Sequence, residues 1–98
     1  MSDGYNGYAN YETWNVVLWL SNDEDNYMRL RRQVWRHYDE LIEGDLQTVY
    51  EIVHGIFNVD PTIHARTPDR VFISCDEIDW TEVYEACIVP TMEDINCG

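Results

Sequence analysis

The side chains that could do chemistry unaided are three thiols, Cys75, Cys87 and Cys97, and three imidazoles, His37, His54 and His64. A zinc site needs several such ligands converging tetrahedrally, usually supplied as close pairs. No two cysteines stand in a CxxC spacing, and the histidines are scattered. A mixed set of His64, Cys75 and Cys87 is the best the spacing offers, and three reduced thiols without a metal is the better reading. There is no phosphate-cradling glycine loop, no GxSxG, no HExxH and no nucleophile set beside a base. The acidic run Asp76, Glu77 and Asp79 lacks the mid-loop glycine and closing glutamate of a calcium loop. The chain therefore reads as a non-enzyme, with no catalytic residue, no metal and no cofactor.

Charge is the stronger signal. Nineteen acids stand against six bases, all arginine, giving a formal charge of −13 over 98 residues. That balance argues against a basic nucleic-acid binder and against a polybasic membrane-surface binder. The arginines fall in two clusters, Arg29–Arg36 and Arg66–Arg70, so long stretches carry acids alone. From Val71 onward there are seven acids and no base: Asp76, Glu77, Asp79, Glu82, Glu85, Glu93 and Asp94. Duplex DNA carries about one charge per 1.7 Å, so thirteen charges match roughly 22 Å of duplex. A globule of this length is about 30–35 Å across, which brings its charge density within a factor of two of DNA. Such a surface can occupy the basic groove of a nucleic-acid-binding protein. Its expected contacts are Asp76, Glu77, Asp79, Glu82 and Glu85, extended by Glu93 and Asp94. The competing explanation is solubility alone.

Arg29, Arg32 and Arg36 could grip a phosphate or an acidic partner. However, Asp25 stands four residues before Arg29, and Asp39 and Glu40 follow Arg36. That spacing predicts a salt-bridged, neutralised face.

The elements that must position these residues are helical. Asn10 caps a helix over 11–21 whose spacing of three and four picks out Tyr11, Trp14, Val17, Leu18 and Ser21, with Trp19 and Leu20 widening the apolar arc. Asn22 or Asp23 caps a long helix over 23–43, striped by Tyr27, Leu30, Val34, Tyr38 and Leu41 and broadened by Trp35 and Ile42. Gly44 ends it, and Asp45 opens a third helix over 45–58. Residues 58–73 are irregular, and a hairpin could sit there. Asp79 and Glu82 make a capping-box pattern for a fourth helix over 79–89, with Ile78 and Val83 as its staple. Pro90 should stop that helix. The expected fold is an all-α bundle of about four helices with one irregular segment. Its core would be Trp14, Leu18, Leu30, Val34, Tyr38, Val49, Val53, Trp80 and Val83. Residues 1–10 read as a flexible or loosely docked arm, 11–90 as one domain and 91–98 as a tail. No apolar run has the length of a membrane span, and the N-terminus lacks the features of a signal peptide, so a cytoplasmic setting is expected.

The stretch Asn10-Tyr11-Glu12-Thr13-Trp14-Asn15-Val16-Val17-Leu18-Trp19-Leu20-Ser21-Asn22-Asp23 resembles the signature of a family of small phage and prokaryotic proteins, close to N-Y-E-T-W-x-V-x-L-W-x-x-N-D. Ile78-Asp79-Trp80-Thr81-Glu82-Val83 is similar to that family's closing segment. Together the two stretches cover roughly a quarter of the chain. The resemblance implies a small helical phage-linked protein and carries over no catalytic residue. With the charge, it leads to an expected anti-defence inhibitor, of anti-CRISPR or antirestriction type, that mimics DNA. Its partner would be a host nucleic-acid-binding protein or defence complex in the host cytoplasm. No direct nucleic-acid or membrane contact is expected, and a homodimer is compatible with this reading. The alternative is a phage structural or assembly protein that binds a partner through surface aromatics such as Tyr5 and Tyr8.

Overall fold

The computed structural model describes residues 7–60 and 62–97. In chain order it holds α1 (Tyr11–Asn22), α2 (Glu24–Arg36), α3 (Tyr38–Ile42), α4 (Leu46–Phe57), α5 (Trp80–Val83), a π-helical segment (Tyr84–Ile88) and α6 (Val89–Cys97). The fold is all-α, and the described residues contain no strand. Small acceptor side chains cap the starts of α1, α2, α4 and α5. Asn10 accepts from the Thr13 amide, Asp23 from Asn26, Asp45 from Gln47 and Thr48, and Asp79 from Glu82. Each cap satisfies amides that the first helical turn leaves without a carbonyl. Gly44 takes φ +79° and turns the chain from α3 into α4, a conformation that glycine adopts without steric cost.

Two expected helices change shape. The helix expected over 23–43 breaks at His37, where φ is −110° and ψ 28°. The break is one residue wide, because His37 still donates to the Gln33 carbonyl and accepts from the Leu41 amide. It goes with full burial of Leu41 and strong exposure of Trp35 and Ile42, at 70% and 60%. A straight helix following its own stripe would have kept all three on one broad face. Leu41 keeps its place on the stripe of Leu30 and Val34, while Trp35 and Ile42, about 100° round the helix from it, are left outside the core.

The helix expected to stop at Pro90 instead runs on to Cys97 through the π-helical segment. There the Val89 amide reaches back five residues to the Tyr84 carbonyl. The wider turn restarts the helical register at Val89, which places Pro90 in a first turn where no amide is needed. The last turns bury Thr91 and Met92.

The core joins α1, α2, α4, the π-helical segment and α6. Leu30, Val34, Val49, Val53 and Val83 are fully buried as expected, with Tyr38 and Trp80 half-buried against them. Trp14 and Leu18 are only half-buried. Val17 and Leu20 of the expected arc are buried, but the inner face of α1 is completed by Thr13 and Val16, with Asn15 also buried. Spacings of three and four fit both choices of face on this helix, because apolar residues nearly encircle it.

Residues 65–73 form the hairpin within the irregular segment. Arg66 and Phe72 make an antiparallel bridge, the Thr67 amide donates to the Val71 carbonyl, and the Ile73 amide donates to the Ala65 carbonyl. Thr67, Pro68, Asp69 and Arg70 make its turn, closed by the Arg70 amide on the Thr67 carbonyl at 2.8 Å. Pro68 suits the second turn position. Arg70 has φ +71°, which costs a non-glycine residue about 1–2 kcal/mol.

Candidate functional site

The seven carboxylates expected at the binding face divide into two kinds. Asp76, Glu77, Glu85 and Glu93 are exposed and make no ion pair among the described residues. Asp79, Glu82 and Asp94 are engaged within the protein. Asp79 accepts the Glu82 amide at 3.2 Å, the first half of the capping box. The second half is supplied from elsewhere: the Asp79 amide donates to the Thr13 hydroxyl at 2.8 Å. Glu82, released from the box, accepts the Ala9 amide at 2.7 Å. The Asn10 side-chain amide donates to the Glu77 carbonyl at 2.6 Å. The N-termini of α1 and α5 therefore cap and clamp each other. This joins the two sequence stretches that carry the family resemblance, Asn10–Thr13 and Ile78–Glu82. It also ties down residues 9 and 10 of the expected arm, and Tyr8 packs against the core. Tyr5 lies outside the described residues. Asp94 is ion-paired with Arg31 across α2 and α6.

A second polar cluster holds the hairpin. Asn15, fully buried, donates to Asp69 Oδ2 at 2.7 Å and accepts the Thr67 hydroxyl at 2.6 Å. The Trp19 indole donates to the same Asp69 oxygen at 2.9 Å, and Thr67 Oγ1 accepts the Val71 amide. The hydrogen bonds from Asn15, then Trp19, hold the Asp69 carboxyl below its ordinary value of 3.8. A carboxylate held low adds stability above its unfolded-state value and loses it as pH falls through the lower folded value. Wild type and Asp69→Asn should therefore converge in stability as the solution is acidified below about pH 4, read by urea unfolding at each pH. Sequence analysis did not single out Asn15, Trp19, Thr67 and Asp69 as a group. The available signal was an asparagine amid the apolar residues of α1.

The neutralised arginine face is not found. Arg29, Arg32 and Arg36 are exposed and make no ion pair among the described residues; nearby, Arg31 pairs with Asp94, and His37 Nδ1 lies 3.9 Å from Glu40. Spacing along a helix permits Asp25–Arg29 and Arg36–Glu40, but an exposed pair gains little over hydration and gives up side-chain freedom. The break at His37 also rotates Asp39 and Glu40 relative to Arg36.

A cleft of about 560 Å³ lies between the start of α2, the end of α4 and the hairpin. Asp23, Asp60, Arg66 and Arg70 line it, so its charges balance. Asp60 is held below its ordinary value by hydrogen bonds from Thr62 and by the charge of Arg66. Burial pushes the Cys87 thiol up to about 12, which keeps it protonated and poor as a ligand or nucleophile. Among the described residues no three His, Cys, Asp or Glu side chains group to hold a metal ion. Among the described residues no helix is long and apolar enough to cross a membrane.

No curated protein and no solved structure matches the chain. The pattern of one family does, from residue 1 to residue 95. Spanning nearly the whole sequence, including both halves of the α1–α5 clamp, that match makes the chain a member of a family of unknown function, DUF7249.

Proposed function

We propose that this protein is a phage-linked anti-defence inhibitor that acts as an acidic mimic of DNA. It would occupy the nucleic-acid groove of a host defence complex of CRISPR or restriction type, in the host cytoplasm and without chemistry of its own. The observation that carries the reading is the set of exposed carboxylates Asp76, Glu77, Glu85 and Glu93, without an ion pair among the described residues, on a chain of net charge −13. Among the described residues those four side chains make no hydrogen bond or ion pair, which supports a charge free to meet a partner. Asp79 and Glu82 keep their charge while serving the structure, and the charge of Asp94 is offset by Arg31. Steering by such a field raises association rates and falls with salt.

The test is to replace the four together, as Asp76→Asn, Glu77→Gln, Glu85→Gln and Glu93→Gln. Glu77 holds Asn10 through its main-chain carbonyl, so the fold should persist, with circular dichroism and unfolding midpoint unchanged. At about 0.2–1 kcal/mol per exposed charge contact, affinity for the partner should drop on the order of 100-fold. The partner is captured from host lysate and identified as DNA-binding, and the parent protein should displace DNA from it. The variant's binding should also depend less steeply on salt. Equal inhibition by parent and variant at matched salt, or a captured partner that binds no DNA, would show that the acidic charge serves solubility only.

The alternative, a phage assembly protein binding through aromatics, draws on a different residue from those expected. Tyr8 is packed on the core, whereas Trp35 is 70% exposed.

A further inference from the structure

We infer that the outer face of α2 is a self-association surface, on which a second copy of this chain docks antiparallel across a two-fold axis near Arg32. The face is built from Asp25, Met28, Arg29, Arg32, Trp35 and Arg36, all exposed. Their spacings of three and four place them along one side of the helix. Met28 is 57% exposed and Trp35 70%, and beside them a groove of about 410 Å³ runs toward Ile95 of α6. Tryptophan and arginine together are the residue types that carry most binding energy at protein interfaces. Trp35 is surplus to the core, which closes without it.

The order of residues on this face identifies the occupant. Counted from Arg32, an arginine stands three residues before and a tryptophan three after. A methionine stands four before and an arginine four after. In an antiparallel crossing centred on Arg32, Arg29 meets the partner's Trp35 and Met28 meets the aliphatic stem of the partner's Arg36. Both contacts occur twice by symmetry. The first is a cation–π pair. Asp25, one turn further out, comes within reach of the partner's Arg36, which makes no ion pair among the described residues of its own chain. Arg32 lies at the axis, where the two copies' guanidinium groups face each other. That like-charge contact and the small area of a single helix face keep the association weak, in the micromolar to millimolar range. The dimer covers the arginine cluster of α2 and leaves an outer surface still more uniformly acidic.

Two bodies of charge −13 repel at long range, and salt screens that repulsion more than it weakens contacts at touching distance. Self-association should therefore strengthen as salt rises from about 0.02 to 0.15 M, opposite to the salt response of binding to a basic partner. The two proposals thus stand or fall separately.

The test is sedimentation equilibrium of the full chain, from about 10 µM to 500 µM at both salt levels. A monomer–dimer equilibrium is expected. Trp35→Ala should weaken it about tenfold or more, with an unchanged circular dichroism spectrum because the side chain is outside the core. Arg36→Asp should also weaken it, and adding Asp25→Arg should restore it, because the exchange preserves the crossed pair. Monomer at every concentration overturns the inference and leaves the face to an unlike partner. A dimer indifferent to Trp35→Ala places the contact elsewhere, and failure of the charge exchange to rescue overturns the antiparallel arrangement.

Discussion

Asn15→Ala is expected to lower stability by about 2–3 kcal/mol, a large share of what a domain this size has. The side chain is fully buried and both of its ends are used. Its carbonyl accepts the hydroxyl of Thr67, itself 1% exposed, and its amide donates to Asp69. Alanine removes both bonds and leaves the Thr67 hydroxyl proton buried without that acceptor. A lost partner of this kind costs the desolvation of the stranded group as well as the bond. The midpoint of urea unfolding reads the effect directly, and amide exchange at Val71 should rise first, because that amide donates to Thr67. Asn15→Asp gives a sharper test. It conserves shape but sets a second carboxylate 2.7 Å from Asp69. Like charges at that distance, one of them buried, raise a carboxyl's folded pKa above its unfolded value. The penalty is therefore largest at neutral pH and shrinks as pH falls toward the raised value. An Asn15→Asp variant as stable as wild type at pH 7 would show that the Asn15–Asp69 cluster does not hold the hairpin.

Leu41→Ala is expected to cost about 2–5 kcal/mol, the range for truncating a fully buried leucine. Leu41 is 0% exposed and is the buried residue of α3. A helix of five residues cannot sustain itself in water, because nucleation consumes most of what its few bonds return. The segment is held by that side chain and by the Leu41 carbonyl, which accepts the Tyr84 hydroxyl at 2.8 Å. Truncation should therefore do more than open a cavity: α3 should lose its amide protection below the global unfolding limit. Tyr84→Phe removes the hydroxyl bond alone and should cost about 1 kcal/mol. Hydrogen exchange of both variants, with thermal unfolding, checks this. A Leu41→Ala protein with α3 as protected as before would mean that the short helix is held from elsewhere.

The helix caps, the all-α class and much of the core were legible in the sequence because their causes are local. Asn10, Asp45 and Asp79 cap the amides two or three residues on, and Leu30, Val34, Val49 and Val53 follow helical spacing within their own segments. Gly44 marks its turn because few residues tolerate its backbone angle. The candidate site was half legible. The run of acids from Asp76 to Asp94 is plain in the sequence, and its division is not. Glu82 and Asp94 are spent on Ala9 and Arg31, partners 73 and 63 residues away. The face of α1 was misplaced for a related reason. On a helix nearly encircled by apolar residues, periodicity gives no direction, and the choice of Thr13 and Asn15 over Trp14 is made by Asp79 and Thr67. Trp35, Ile42 and Pro90 followed tertiary packing against their local signals. The helix breaks at His37 with no proline or glycine to mark the place, and one π turn gave Pro90 a place where its missing amide costs nothing. Local chemistry thus determined where helices begin and what charge the chain carries. Which polar groups stay free to act was decided only in three dimensions, because a hydrogen-bond partner is chosen by proximity in the fold and not by spacing along the chain.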